Sequence, residues 1–231
     1  MTISIHQPEH LPWLGFFNKL ASSDIFILLD NVPFRKNYFQ NRNRIRTKEG
    51  WIWLTVPILT KDKFGQKINE VMIDNSLNWQ RKHLLSIEQN YGRALYFDEY
   101  KDFFLQLYNR DWQRLVELNT ELIRCLSSSL GIKTRIIEAS SLNISGSSTD
   151  LLLAICKEVG AKIYISGRFG RDYLDESKFA QEGIKIVYQE FHHPEYKQVF
   201  ETFIPDMSAL DLLFNYGKNG GKMLYPNKSG F

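Results

Sequence analysis

Short apolar runs alternate with helical stripes along most of this chain. Residues 2–5 (Thr-Ile-Ser-Ile) predict a strand, which Pro8 and Pro12 bring to an end. Pro12 suits the first turn of a helix, where its missing N–H costs nothing, and Trp13, Phe16, Phe17 and Leu20 then recur at helical spacing. Residues 25–29 are continuously apolar, as a strand covered on both faces would be. A strand–helix–strand opening of this kind predicts a parallel pair joined by a right-handed crossover.

Residues 31–108 break the rhythm and predict an inserted lobe. Arg42-Asn43-Arg44-Ile45-Arg46 alternates polar and β-forming residues up to the turn Lys48-Glu49-Gly50, and Trp51–Val56 supplies a partner strand. Residues 67–73 are expected to add a third strand, with helices over 78–91 and 98–108. Leu115, Leu118, Leu122, Leu126 and Leu130 mark a long amphipathic helix that Gly131 ends. The alternation then resumes, with strands at 134–138, 162–165 and 184–189 and helices at 148–159, 176–182 and 208–215. The Gly-, Asn- and Lys-rich residues 217–231 read as a mobile tail or a loop ordered by ligand. The fold class expected is α/β: a single Rossmann-like domain with a mostly parallel five-stranded sheet and an inserted hairpin and helical lobe.

Composition narrows the picture. The chain has 231 residues, enough to bury a core without disulfides. A net charge of +3, from 29 basic and 26 acidic residues, makes nucleic acid an unexpected partner. Its two cysteines, Cys125 and Cys156, rule out a disulfide framework and a cysteine-based zinc site. The first residues lack the basic and apolar regions of a signal peptide, and no apolar run reaches the roughly 20 residues of a membrane span. The expected compartment is the cytoplasm.

Ligands of open α/β sheets bind beyond the carboxyl ends of the strands. Beyond the first predicted strand stand His6, Gln7 and His10, and beyond the second Asp30. Ser166, Gly167, Arg171, Asp172 and Tyr173 follow the fourth, and His192-His193 the fifth. His6 at a strand end either satisfies a local backbone group or serves a ligand. The helix after Pro12 has no side-chain cap, so its free N–H groups, with His6 and His10 beside them, would suit a phosphate or carboxylate. Asp30 reads equally as a turn cap or as a partner of a sugar hydroxyl. Arg42, Arg44 and Arg46 share one face if extended; they form a solvated hairpin face or grip a diphosphate. Ser166-Gly167 would let a ligand approach the backbone, and Asp175 would cap the helix after it. A magnesium ion on Asp172, Asp175 and Glu176 is the alternative to capping and solvation; no metal site is expected. Lys82 lies on a surface helix or makes a further anion contact.

Together these residues carry a resemblance. IHQPEHLPWLGFF, FILLDNVPFRKNYFQNRNRI, WLTVPI, WQRKHL, YISGRFGRDYLDE, FHHPEY and SALDLLFN occur in order over residues 3–215 and are similar to the WbqC-like protein family. His10 is a departure from its HQP-x-Y-LP pattern, which weakens the case for His10 relative to His6. The resemblance implies a place in bacterial surface-polysaccharide and O-antigen biosynthesis and implies no particular reaction. A fainter, fold-level similarity is to nucleotidyltransferase-type and pantothenate-synthetase-like proteins, although an H-x-G-H spacing is absent.

The function expected is modification of a nucleotide-linked amino sugar by acyl or aminoacyl transfer. His6, the helix amides and Arg42 or Arg44 would hold phosphate, Asp30 and Asp172 would bind hydroxyls, and His193 would be the general base. Asn43 and Lys82 are further ligand candidates. ATP or an acyl donor is the cosubstrate considered. The alternatives are an ATP-dependent ligase or nucleotidyltransferase and a non-catalytic nucleotide-sugar-binding protein.

Overall fold

A computed structural model of the chain describes residues 1–61 and 63–225. The strand–helix–strand opening is β1 (Thr2–His6), α1 (Leu14–Ala21) and β2 (Ile25–Leu28). The hairpin follows as β3 (Arg42–Thr47) and β4 (Gly50–Thr55), then α2 (Trp79–Tyr91), α3 (Phe97–Tyr108) and α4 (Leu115–Ser129). The alternation resumes with β5 (Arg135–Glu138), α5 (Ser148–Glu158), β6 (Ile163–Ser166), α6 (Glu176–Gln181), β7 (Lys185–Tyr188) and α7 (Ala209–Tyr216).

Five strands pair in parallel in the order β5-β2-β1-β6-β7, and β3 with β4 forms a separate antiparallel ribbon. The chain therefore builds outward from β1 in one direction through β2 and β5, and in the other through β6 and β7. Between β1 and β6 the winding reverses. That reversal opens a crevice at the carboxyl ends of the two strands.

Alternation along the strands sorts side chains into two cores. Ile3, Ile5, Ile25 and Ile27 pack with Leu151, Ile155 and Phe179 of α5 and α6. Phe26 and Leu28 turn to the other face and join Phe16, Leu122 and Leu213 of α1, α4 and α7. Ile45 and Leu54 of the hairpin, Trp79 of α2 and Phe104 of α3 belong to this same second cluster. Among the described residues no helix is long and apolar enough to cross a membrane.

Two expectations are corrected. Residues 67–73 do not form a third strand: Ile68–Glu70 is one 3-10 turn, closed where the Glu70 carboxylate accepts from the Lys67 N–H at 2.8 Å. The buried positions there, Ile68 and Val71, are three apart, which fits a turn and breaks a strand's period of two. The described part of the supposed tail is ordered. Gly217–Leu224 forms a 3-10 run against α7 and α1, with Gly217, Gly220, Gly221 and Leu224 buried. A Cβ at Gly221 would come within 1.8 Å of the Leu130 carbonyl oxygen, so only glycine lets the segment lie so close to the end of α4. Residues 226–231 of that expected tail lie outside the described residues.

Candidate functional site

A cleft of about 560 Å³ occupies the crevice between β1 and β6. His6 and Gln7 reach it from the end of β1, and Gly167, Asp172 and Tyr173 reach it from the loop after β6. Arg35 and Tyr38 also line it, the guanidinium lying 5.0 Å over the phenol ring. The loop after β6 folds tightly because Gly170 sits against Ser166; a Cβ there would meet the serine Oγ at 2.1 Å. At Gly167 an added Cβ would meet open space, so the backbone is approachable at that point.

Glu9 and Lys19, which the sequence reading did not single out, also line the cleft and are only 4% and 3% exposed. Lys19 projects from α1, and its Nζ donates to the Ile5 carbonyl at 3.0 Å. Glu9 Oε1 lies 3.9 Å from His6 Nδ1, while Oε2 is buried with no partner among the described residues. Burial pushes the Glu9 carboxyl up to about 8, against the pull of Lys19. It brings the Lys19 ammonium down to about 7, against the pull of Glu9. Burial thus disfavours the charged form of each group, and the opposite charge of the other pulls each part of the way back.

His6 is neutral. Burial, and then the neighbouring Lys19 charge, hold it well below the ordinary imidazole value. Its Nδ1 bonds the Gln7 carbonyl at 3.1 Å; a carbonyl only accepts, so Nδ1 carries the hydrogen and Nε2 keeps a lone pair. His6 Nε2 is thus placed to accept from a ligand N–H or O–H.

Gln7 is set by a neighbour. Gln40, fully buried, accepts the Arg35 backbone N–H on Oε1 at 2.7 Å and donates from Nε2 to Gln7 Oε1 at 2.7 Å. Its backbone carbonyl accepts from Asn119 Nδ2 at 2.7 Å. Asn119 Oδ1 in turn accepts from His10 Nδ1 at 3.2 Å.

The other expected site residues stand elsewhere. His10 is fully buried against His83, where burial keeps it neutral, and it does not join His6 in the cleft. The free amides of α1 do not reach the cleft either: Trp13 lies against Gly15, pairs with Ser208, and leads a helix whose first turn is buried. Asp30 is an anchor, accepting the Ser140 N–H at 2.8 Å and its hydroxyl at 2.6 Å. It borders a separate, shallower cleft of about 410 Å³ with Arg114 and Arg124. Asp175 caps α6 through the Ser177 N–H at 3.1 Å. Ser166 lies buried beneath the loop, and Arg171 stacks 4.8 Å over Tyr188.

Arg42 and Arg44 lie over the exposed indoles of the hairpin, Arg42 at 4.3 Å from Trp53 and Arg44 at 5.2 Å from Trp51. Asn43 faces inward, its Oδ1 accepting the Arg44 N–H at 2.8 Å. Lys82 is exposed on α2. His193 sits among Phe191, Tyr196 and Phe203, with Nδ1 on the Pro194 carbonyl at 2.9 Å and Nε2 buried without a partner among the described residues. Burial lowers its pKa, and it does not line the cleft.

Lys19 had a legible signal. The run Leu14–Ala21 offers no polar stripe, so its Asn18 and Lys19 had to be buried along with the phenylalanines. Glu9 had none in its own segment, where Pro8 and Pro12 flank it in a loop. Among the described residues no group of three or more His, Cys, Asp or Glu side chains is placed to hold a metal ion.

A family model described as the WbqC-like protein family matches residues 7–223. A relative from Mycobacterium tuberculosis, carrying the name "Uncharacterized protein Rv1507c", is 36% identical over 217 residues, which cover 93% of this chain and 94% of its own. No solved structure matches the chain.

Proposed function

We propose, from the premise that this chain belongs to the WbqC-like protein family, that it is an enzyme acting on a nucleotide-linked amino sugar by acyl or aminoacyl transfer. The observation that carries the reading is the Glu9–Lys19 pair on a strand-end cleft, buried yet lining it. Amide formation needs a neutral amine and a base that accepts its proton as the N–C bond forms. A carboxyl raised to about 8 is a stronger base than an ordinary glutamate, and Lys19 lines the same cleft.

In this scheme the sugar nitrogen attacks the acyl carbon of the donor. The bond from that carbon to the leaving group breaks, and the proton lost by nitrogen passes through Glu9 to the leaving group. The donor is an acyl thioester, or an acyl adenylate made from ATP. Arg35 is the cation available to a diphosphate, His6 Nε2 and Asp172 accept from sugar hydroxyls, and proton transfer falls to Glu9 instead of His193. The resemblance to the family adds the context of surface-polysaccharide assembly.

A thermal-shift panel of UDP- and TDP-amino sugars, ATP and acyl-CoA tests the binding side. At least one nucleotide amino sugar is expected to raise Tm, with amide product on adding the donor. Glu9→Gln is expected to keep the shift and lose about 10²–10⁴-fold in rate. An unchanged rate in that variant removes Glu9 from the mechanism, and a panel blank for every nucleotide sugar sinks the reading.

A further inference from the structure

We propose that the cleft recognises an acceptor oxygen of its ligand, a phosphoryl or carbonyl oxygen, through the side-chain N–H₂ of Gln7, and that Gln40 sets this polarity. The inference deepens the reading above and rests on the switch-point cleft being a ligand site. A glutamine amide presents a donor at one end and an acceptor at the other, and what it recognises depends on which end faces the ligand. Here the choice is made two hydrogen bonds back. The Arg35 backbone N–H can only donate, so the Gln40 atom 2.7 Å away is its oxygen. The opposite end of the Gln40 amide is then its nitrogen, which donates, so the Gln7 atom 2.7 Å from it is the Gln7 oxygen. That leaves Gln7 Nε2 directed away from Gln40, and among the described residues no group accepts from it.

Gln40 is fully buried and held at its backbone by Asn119, so it is not free to turn over to suit an arriving ligand. The arrangement complements its neighbours in the cleft. Glu9 Oε2 and His6 Nε2 are acceptors, Lys19 and Arg35 are donors, and Gln7 supplies a neutral donor of fixed direction.

Gln40→Glu tests the polarity. The new carboxylate still accepts from Arg35 N–H but has nothing to donate, so Gln7 must turn its N–H₂ toward it and present oxygen to the cleft. Inorganic pyrophosphate, which offers acceptor oxygens without a sugar or base, is the probe. At pH 8 the variant is expected to bind it at least about tenfold more weakly than the wild type. As pH falls and the new carboxyl takes up a proton, its O–H donates to Gln7 as the original amide did, and the deficit closes. A side chain that merely filled space would show no such recovery.

Gln7→Glu, which leaves the buried network intact, is expected to lose pyrophosphate binding at pH 8 and to regain it only as its own carboxyl takes up a proton. Side-chain amide NMR reads the orientation without any ligand: the Gln7 N–H₂ should exchange freely in the wild type and become protected in Gln40→Glu. Protection of the Gln7 amide in the wild type, equal pyrophosphate affinity in wild type and Gln40→Glu, or no binding of pyrophosphate by the wild type would each overturn the proposal. If pyrophosphate binds with the expected dependence but no nucleotide sugar does, the polarity stands and the amino-sugar reading falls. If nucleotide sugars bind and the variants bind equally well, the reverse holds.

Discussion

Burying Glu9 and Lys19 works against the fold as well as for the site, and the signs can be followed separately. The raised Glu9 pKa means that its contribution to stability is full below about 4.5 and is lost as pH climbs to about 8. The depressed Lys19 pKa means that its contribution is full above about 10.5 and is lost as pH falls to about 7. Both penalties are therefore in force between these limits, most completely near pH 7–8. The double variant Glu9→Gln/Lys19→Met is expected to equal or exceed the wild type in stability there, by up to about 1–4 kcal/mol, while Lys19→Met alone is less stable. Urea unfolding at pH 5, 7.5 and 10 checks this; a double variant weaker than the wild type at pH 7.5 would contradict it. If the proposed amide transfer is the reaction, the same carboxyl gives a kinetic expectation. Amide formation should rise with pH toward about 8 in the wild type and lose that limb in Glu9→Gln. His6 and Gln7 were legible in the sequence because a strand end is a local feature. The separation of His10 from His6 was not, since it depends on Asn119 and His83 from distant helices.

At the scale of elements, the β3–β4 hairpin shows what alternation can and cannot tell. Period two correctly put Arg42 and Arg44 on one face, and the turn at Lys48-Glu49 fixes the register that sets Arg44 opposite Trp53. The arginines then lie on indoles, so the ribbon stabilises itself across its strands. A double-mutant cycle on Arg42→Ala and Trp53→Ala is expected to give a coupling of about 0.5–1 kcal/mol in urea unfolding. Additive single effects would show the contact to be idle. Arg46 departs from its neighbours: it is buried, donating to Gln198 Oε1 at 3.3 Å and the Thr202 carbonyl at 2.7 Å. Those partners come from a segment without regular structure, which no pattern within the hairpin could reveal.

At the scale of the molecule, the βαβ rhythm announced a parallel sheet, and the two-sided burial of β2 agreed with its interior position. Strand order is another matter, because it follows from which way each crossover turns, and a single chain does not spell that out. The closing segment shows the same limit. Its glycines and lysines read as a tail, yet the glycines serve close packing on α4 and α7. Gly221→Ala is therefore expected to cost about 1–3 kcal/mol, whereas Gly167→Ala, in open space, should stay within about 0.5 kcal/mol. Equal urea midpoints for the two would argue that the closing segment is not held as described.

That segment also reaches α1, where Asn18 Nδ2 donates to the Leu224 carbonyl at 2.7 Å and Asn18 Oδ1 accepts from Gln189 Nε2 at 2.6 Å. Asn18 is the immediate neighbour of Lys19, so the helix that offers the lysine to the cleft is clasped by residues made some 200 positions later. During synthesis the first strand and helix emerge early, but their clasp arrives only when residue 224 has cleared the ribosome. The helix that lines the cleft is thus secured only once residue 224 has been made, and a nascent chain should hold Glu9 and Lys19 loosely until then.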